Sequence, residues 1–597
     1  MAIRTVCDLF YHSVDTFRKP EHLKYKKEGA WHALSSDELR TAVEELSLGL
    51  RALGVEKGDK VAILSENRPE WVIADFATLA IGAADSPIYS TLTPNQVLYI
   101  LNDSESKIVV VSNAAQAAKI TEVRSQAKYL KEVIRLDAAP IPGTIHFDEV
   151  RAKGREALAR DKDAVRKRAA EVQPEDLATL IYTSGTTGDP KGVMLTHSNL
   201  VSNVLAAAGV MHGFGPDDVC LSFLPLCHSF ERTVHNFMMF AGVTVAYAES
   251  VEKVPANMGE VRPTIMCSVP RLYEKMYAKI NEKVASDPPF RQKIFRWAMG
   301  VGREAFLHRI AGTEPGVLLK LKLALAERRV FAKIKERVGG RMRLFVSGGA
   351  PLAREIGDFF GAAGLIICEG YGLTETSPAI TFNRPDRMKP GTVGRPLEGV
   401  EVKIAPDGEI LAKGPNVMKG YFKKPEATAE VIDQEGWFHT GDIGVLDKDG
   451  FLSITDRKKD ILVTSGGKNI APQPIENIIK TNKYFAEVVM IGNNRNFPAA
   501  LVVPNFDALE KWAKEKGLSA ANREELVEKP EVVAFYHKLV SDLTPDLAQF
   551  EKIKKVTLIA HEFTLEAGEL TPTFKVKRRV VETKYKDVID RMYQGAA

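Results

Sequence analysis

The eleven residues Tyr182–Gly192, YTSGTTGDPKG, hold three glycines, three threonines, a serine and a lysine directly after the apolar run ATLI. Glycine lets the backbone approach an anion closely, hydroxyls donate hydrogen bonds to it, and Lys191 adds countercharge. A strand opening into such a loop turns free N–H groups toward a phosphate. A flexible turn would explain two or three of these residues and explains the whole string poorly. Lys191 follows Pro190 and precedes Gly192, so the G-x-x-x-x-G-K-[ST] spacing of P-loop kinases and GTPases is not met. A second group, LPLCHSFERTVH, places His228, Glu231 and His235 together, but Arg232 stands four positions after His228, a poor zinc pattern. No metal role is assigned to His235. The five cysteines are scattered and form no CxxC pair, which reads as small buried hydrophobes in a reducing cytosol.

Those residues need a scaffold. Short β-branched runs recur: KVAILS at 60–65, KIVVVS at 107–112, ATLIYTSG at 178–185, TVAYA at 244–248, TIMCSV at 264–269, RLFVSGG at 343–349 and LIICEGYG at 365–372. Helix-like segments such as Ser36–Leu53 lie between most of them, which predicts α/β layers with sheets buried on both faces. After about Gly391 the pattern becomes strands joined by tight turns, VEVKIA, EILAKG, WFHTGDIGVLDKDG and FLSITDR. DRKKD at 456–460 is a charged junction, followed by an α+β tail of about 140 residues. The predicted fold is therefore α/β: a large N-terminal domain, 1–456, with a small β-rich subdomain at about 391–456, then a smaller α+β C-terminal domain, 457–597.

The chain has 597 residues, 45% hydrophobic and 26% charged, with a net charge of +4. That excludes a disordered tail and a uniformly basic nucleic-acid binder, so no nucleic-acid partner is expected. The N-terminus lacks a signal-peptide h-region, and no apolar run approaches the roughly 20 residues that span a bilayer. A cytoplasmic location is expected. Residues 291–343 break the balance with 14 Lys/Arg against four Asp/Glu. Ile294, Ala298, Val301 and Ala305, then Leu319, Leu323, Val330 and Ile334, fall at helical spacing on either side of the breaker Gly312–Gly316. Two surface helices with a buried face and a solvated basic face are the first reading. The second is that the basic face rests on an anionic membrane.

Tyr182–Gly192 resembles the signature loop of the adenylate-forming enzymes, the superfamily of acyl-CoA synthetases, firefly luciferases and nonribosomal-peptide adenylation domains. Further segments match in the same order over nearly the whole chain. SGGAPL (347–352) resembles the adenine-pocket strand end, EGYGLTET (369–376) the nucleotide and magnesium motif, and WFHTGD (437–442) the ribose-binding motif. DRKKDILVTSGGKNIAPQPIE (456–476) resembles the hinge and thioester-side loop, and GELTPTFKVKRR (568–579) the segment with the catalytic lysine. LPLCHSFER, the basic insert and GELTPTFKVKRR most resemble long-chain fatty-acyl-CoA synthetases.

The resemblance implies two half-reactions: a fatty acid carboxylate attacks the α-phosphate of ATP to give acyl-AMP and pyrophosphate, and the CoA thiolate then displaces AMP. ATP, Mg²⁺ and the co-substrate CoA are the implied small molecules. Thr183, Ser184, Gly185, Thr186, Thr187 and Gly188, with Lys191, would hold phosphates. Gly349, Ala350, Glu369, Gly370, Tyr371, Gly372 and Thr374 would line the nucleotide, with Tyr371 stacked on adenine. Glu375 would ligate Mg²⁺, Asp442 would bind the ribose and Arg457 would touch the nucleotide. Lys575 would be the catalytic cation. Lys459 would be the hinge of a mobile C-terminal domain, Gly466 and Gly467 would face the pantetheine of CoA after rotation, and His228 would wall the acyl pocket. Locally, Glu375 also reads as an acid opening a helix, Tyr371 as a core tyrosine, and Asp442 as a turn acid. Lys575 and Lys577 also read as the wet face of a strand whose Phe574 and Val576 alternate with them; the resemblance alone separates the two lysines. A ligase loading a carrier protein, a luciferase-like oxygenase and a non-catalytic lipid-binding protein of the same fold are the competing functions. Chain-length preference and oligomeric state are not encoded in these motifs.

Overall fold

The computed structural model describes residues 2–183, 189–564, 567–571 and 575–594. The β-branched runs fold into the strands of two large sheets. The first, among the described residues, orders Gly420–Tyr421, Lys191–Thr196, Leu177–Thr183, Ala84–Ile88, Lys60–Leu64, Ser106–Val111, Glu132–Arg135 and Ile145–His146. The second orders Arg395–Pro396, Ala379–Phe382, Ile367–Gly372, Leu344–Ser347, Ile265–Ser268, Val219–Ser222, Thr244–Tyr247, Leu23–Lys27 and Ala30–Leu34. Both are parallel through their middles, which requires helices on both faces. Successive side chains divide between layers as the strand period demands. Leu344 and Val346 join the core between the sheets, and Phe345 joins the outer core beneath the helices from Pro270 to Glu336.

One helix ties the two sheets together. Ser229–Ala241 is capped by His228, whose ring Nδ1 accepts from the Phe230 N–H at 3.1 Å, and it ends at Gly242 in the left-handed region (φ +72°). Its Arg232 is fully buried and donates to Asp85 Oδ1 (2.9 Å) on a strand of the first sheet and to Asp75 (2.6 Å) on the helix Pro69–Ala80. Thr179 adds a hydrogen bond to Asp85 at 2.7 Å. Burial raises the pKa of Asp75, Arg232 opposes that, and the neighbouring Asp85 adds to it.

Residues 401–457 form a four-stranded antiparallel sheet, Glu401–Ile404, Glu409–Lys413, Phe438–Leu446 and Leu452–Arg457. Leu452 belongs to the core between the two large sheets, whereas Leu462 already belongs to a separate C-terminal core. That second core is built on the strands Phe485–Ile491, Ala499–Pro504 and Lys555–Leu558 with helices such as Pro472–Lys480 and Pro530–Leu543. All five cysteines are buried as free thiols, and burial raises the pKa of each. Among the described residues no helix is long and apolar enough to cross a membrane.

Two expectations need correction. Val576 forms an isolated bridge with Leu570 and a helix begins at Arg578, so Lys575 and Lys577 flank a single bridge residue rather than lining a strand; Phe574 lies outside the described residues. The basic segment forms the helices Pro289–Ile310 and Val317–Ala326 on either side of the expected breaker, and Ala298, Val301, Leu319 and Ile334 are buried as the spacing predicts. The outward face of the second helix, however, is apolar between lysines and not simply basic.

Candidate nucleotide and acyl site

The strands Leu177–Thr183 and Lys191–Thr196 form an antiparallel hairpin with Thr183 opposite Lys191. The loop residues Ser184, Gly185, Thr186, Thr187 and Gly188 lie outside the described residues. Lys191 places its ammonium 4.8 Å from the ring centroid of Tyr421, which pairs alongside on the short strand Gly420–Tyr421. The Tyr421 hydroxyl donates to Glu375 Oε1 at 2.9 Å, and the Met418 N–H donates to the Glu375 carbonyl at 2.8 Å. Glu375 itself sits in the one-turn helix Thr374–Thr376, and Ser229 donates to Thr374 Oγ1 at 3.4 Å. Burial raises the Glu375 pKa, with the Tyr421 bond as a partial offset. A carboxylate placed beside the strand Lys191–Thr196 through Tyr421 is a donor suited to a hard cation, which would restore its charged form.

Two strands of the second sheet end at the same place. After Leu344–Ser347, Gly348 packs under Phe230, where a Cβ would stand 3.0 Å from the ring, and Gly349 turns in the left-handed region (φ +79°) with Ala350 exposed beside it. Ile367–Gly372 brings Glu369, Gly370, Tyr371 and Gly372 to the same rim. A Cβ on Gly372 would lie 1.8 Å from the Pro378 carbonyl oxygen, so only glycine fits that bulge. Burial pushes the Glu369 carboxyl up to about 8. The Tyr371 hydroxyl donates to Asp442 Oδ2 at 2.7 Å. Asp442 faces Arg457 in the antiparallel register of the smaller sheet, with Arg457 Nε 3.5 Å from its Oδ1.

The C-terminal domain completes the group. Lys575 is held against Thr571 by N–H donation to its Oγ1 (3.0 Å), while the Lys575 carbonyl accepts from Thr571 N–H (2.7 Å). Lys575 is exposed as a residue, but its ammonium lies within electrostatic reach of Arg457, Asp442 and His228. Desolvation first and the Arg457 charge second push its pKa down to about 8, against the pull of Asp442. His228, half-buried with Tyr89 beside it, is pushed down to about 4 by burial and by Lys575. It is therefore neutral at pH 7.

The remaining expected residues lie apart. Lys459 is exposed in the junction, its pKa lowered by partial burial and by Arg457. Gly466 and Gly467 are exposed on a turn of the C-terminal domain closed by the Gly467 N–H to the Thr464 carbonyl (2.8 Å). Spacing missed three contributors. Tyr421, in the bland run MKGYF, touches Glu375 and Lys191 only through strand pairing. Glu569, fully buried, accepts from Tyr585 (2.8 Å), Lys584 (2.8 Å) and the Thr564 N–H (3.0 Å), and its carbonyl accepts from Lys577 N–H (2.7 Å), bracing the Lys575 segment. Arg271 of the helix Pro270–Ser286 reaches Glu487 of the C-terminal domain at 2.8 Å, where Lys480 also approaches at 3.5 Å. Lysine and arginine charges thus stand close to the carboxylates of Glu375 and Asp442, an arrangement that can hold a polyanion and orient a second anion against it.

Comparison with known proteins gives the same outline. The AMP-binding enzyme family matches residues 10–422, and the AMP-binding enzyme C-terminal domain matches 459–597. The chain is 36% identical over 588 residues to the long-chain-fatty-acid–CoA ligase FadD15 of Mycobacterium bovis, covering 96% of this chain and 95% of that protein. It is 34% identical to the peroxisomal long chain acyl-CoA synthetase 7 of Arabidopsis thaliana, covering all of this chain and 87% of that one. Among solved structures, the anthranilate CoA ligase AuaEII in complex with anthranoyl-AMP superposes with a TM-score of 0.74 at 19% identity over 99% of both chains. ATP-bound MatB from Rhodopseudomonas palustris does so with 0.68 at 25% identity, covering 98% and 99%.

Proposed function

We propose that this chain, which belongs to the AMP-binding enzyme family, activates a long-chain fatty acid with ATP and passes the acyl group to CoA. The observation that carries the reading is that Lys575 lies within electrostatic reach of Asp442 and Arg457, themselves 3.5 Å apart, beside the strand that bears Tyr371. Supporting the long chain is the full-length similarity to proteins named for that substrate.

In the first step a carboxylate oxygen attacks the α-phosphorus and the bond to the bridging oxygen of pyrophosphate breaks, leaving acyl-AMP. Two anions must meet, so the barrier falls as fixed positive charge is brought to the developing phosphorane. Lys575 bridges the carboxylate and the α-phosphate. Thr183, Lys191 and the loop 184–188 hold the outer phosphates. Tyr371 stacks on adenine within the pocket formed by Gly349, Ala350, Glu369, Gly370, Gly372 and Thr374. Asp442 accepts from the ribose hydroxyls, Arg457 contacts the nucleotide, and His228 walls the acyl pocket. Glu375 is the residue that would hold Mg²⁺, which when bound supplies further countercharge to the phosphates.

In the second step a thiolate attacks the acyl carbonyl and AMP leaves. We assign this step to a second orientation of the C-terminal domain, residues 457–597, turning about Lys459 relative to residues 1–456. Gly466 and Gly467 then face the pantetheine arm, where the lack of a Cβ permits close approach. We place the reaction in the cytoplasm, with peripheral contact to an anionic membrane through 291–343.

The test is pyrophosphate release across a panel of saturated acids from two to about twenty carbons, with and without CoA. Each buried CH₂ is worth about 0.8 kcal/mol, so a long-chain pocket predicts activity rising steeply with length. Release that needs CoA for turnover and peaks at long chains supports the reading. Release of pyrophosphate with no AMP turnover on free CoA would favour a carrier-protein acceptor, and none with any acid would overturn the ligase reading.

A further inference from the structure

We propose that the helix pair Pro289–Ile310 and Val317–Ala326 docks on an anionic phospholipid bilayer through an apolar ridge on its second helix, giving the peripheral contact proposed above a physical form. On that helix Val317 is 76% exposed, Leu318 67%, Leu321 65% and Leu325 49%. At 3.6 residues per turn these four fall within an arc of about 100°. Lys320 and Lys322 lie on either side of that arc, and Arg328 and Arg329 continue it. The opposite side of the helix is already used: Leu319 and Ala326 are buried in the outer core with Phe331 and Phe360. The ridge is thus a second apolar face for which the fold has no need; Leu307, near the end of the preceding helix, is also exposed (56%). Contiguous large apolar side chains are seldom left in water without a partner.

Charge decides the partner. The span 291–343 carries 14 Lys/Arg against four Asp/Glu. A second copy of this chain would set lysines against lysines around the ridge, and like charges repel. An anionic lipid surface neutralises them, while leucines enter the boundary between headgroups and acyl chains and lysine stems extend alongside. The core beneath the ridge also holds Phe345 and Ile367, on the strands Leu344–Ser347 and Ile367–Gly372 that lead to Gly349 and carry Tyr371, so docking surface and site share one packed layer. Resting on the proposed substrate, this sets the site beside the phase into which long-chain acids partition.

The full chain is sedimented with phosphatidylcholine vesicles and with vesicles containing phosphatidylglycerol, at low and high salt. Wild type is expected to bind the anionic vesicles, with weakening at high salt. The triple variant Leu318→Ser, Leu321→Ser, Leu325→Ser is expected to lose on the order of tenfold or more in partitioning, and Lys320→Gln with Lys322→Gln to lose less. No binding by wild type, or equal binding by wild type and the serine variant, overturns the proposal. So does self-association that the serine variant abolishes while no vesicle binds, since the occupant is then a second copy. Pyrophosphate release without vesicles is measured in parallel, with the most active acid of the panel kept below its micellar concentration. An unchanged rate in the variants certifies their fold, and no release by wild type with an acid of any length would sink the ligase reading while leaving the vesicle result intact.

Discussion

Lys575 sits where its proton is easily lost, since desolvation and Arg457 lower its pKa to about 8. Below that pH the ammonium is present; as pH rises through it, the positive charge vanishes. On the proposed role, kcat/KM for adenylate formation falls on the alkaline side with a limb near pH 8, while thioester formation from supplied acyl-AMP lacks that limb. ATP in the site adds negative charge and moves the limb of kcat upward. A profile for adenylation flat through pH 9.5 would count against Lys575. Replacing it by alanine is expected to slow adenylation on the order of 10²–10³-fold and to spare the second half-reaction. Glu569→Gln keeps the size of the brace but not its charge. It is expected to lower the adenylation rate with little change in the KM for ATP, because it loosens the segment around Lys575 and touches no nucleotide. The Lys575 segment was legible in the sequence from its motif. Glu569 was not marked for a role, because nothing in GELTPTF says that Tyr585 and Lys584 will turn back upon it.

Among elements, the helix Ser229–Ala241 depends on Arg232, whose charge is enclosed with those of Asp75 and Asp85. Removing one partner of a buried set leaves uncompensated charge. Arg232→Met is therefore expected to destabilise the N-terminal domain by about 3–5 kcal/mol in urea unfolding, and adding Asp75→Asn should recover part of it. Additive losses in the double variant would refute the coupling. The alternation of β-branched runs with helices was readable, and strands such as Lys60–Leu64 and Leu344–Ser347 fall within the expected runs. The inward facing of the Val317–Ala326 helix was readable too, since the expected stripe through Leu319 and Leu323 turns to the core. What was not readable is the second stripe through Leu321 and Leu325 left in solvent, because VLLKLKLALA carries leucines on every side. Tyr421 was hidden similarly, since strand pairing across more than 200 residues leaves no periodic trace.

At the scale of the molecule, Arg271–Glu487 spans the two domains in the orientation that brings Lys575 to Asp442. On the proposed alternation this pair must part before the second step. Arg271→Ala is expected to slow adenylation about fivefold, as befits a half-exposed ion pair, and to leave thioester formation unchanged or faster. The exchange Arg271→Glu with Glu487→Arg should restore the balance. Equal loss of both half-reactions in Arg271→Ala would contradict a latch. Two separate cores with a charged stretch between them were legible from DRKKD and the change of pattern around it; which surfaces meet across the gap was not.

The burial of all five thiols has a consequence for the reagent this chain is proposed to make. A mixed anhydride will acylate any ionised sulfur it meets. Here burial holds the protein's own sulfurs in the protonated form and out of reach, so self-modification at sulfur has no starting point and the visiting thiolate meets no competing thiolate. Iodoacetamide should accordingly leave the native chain unlabelled until denaturant is added.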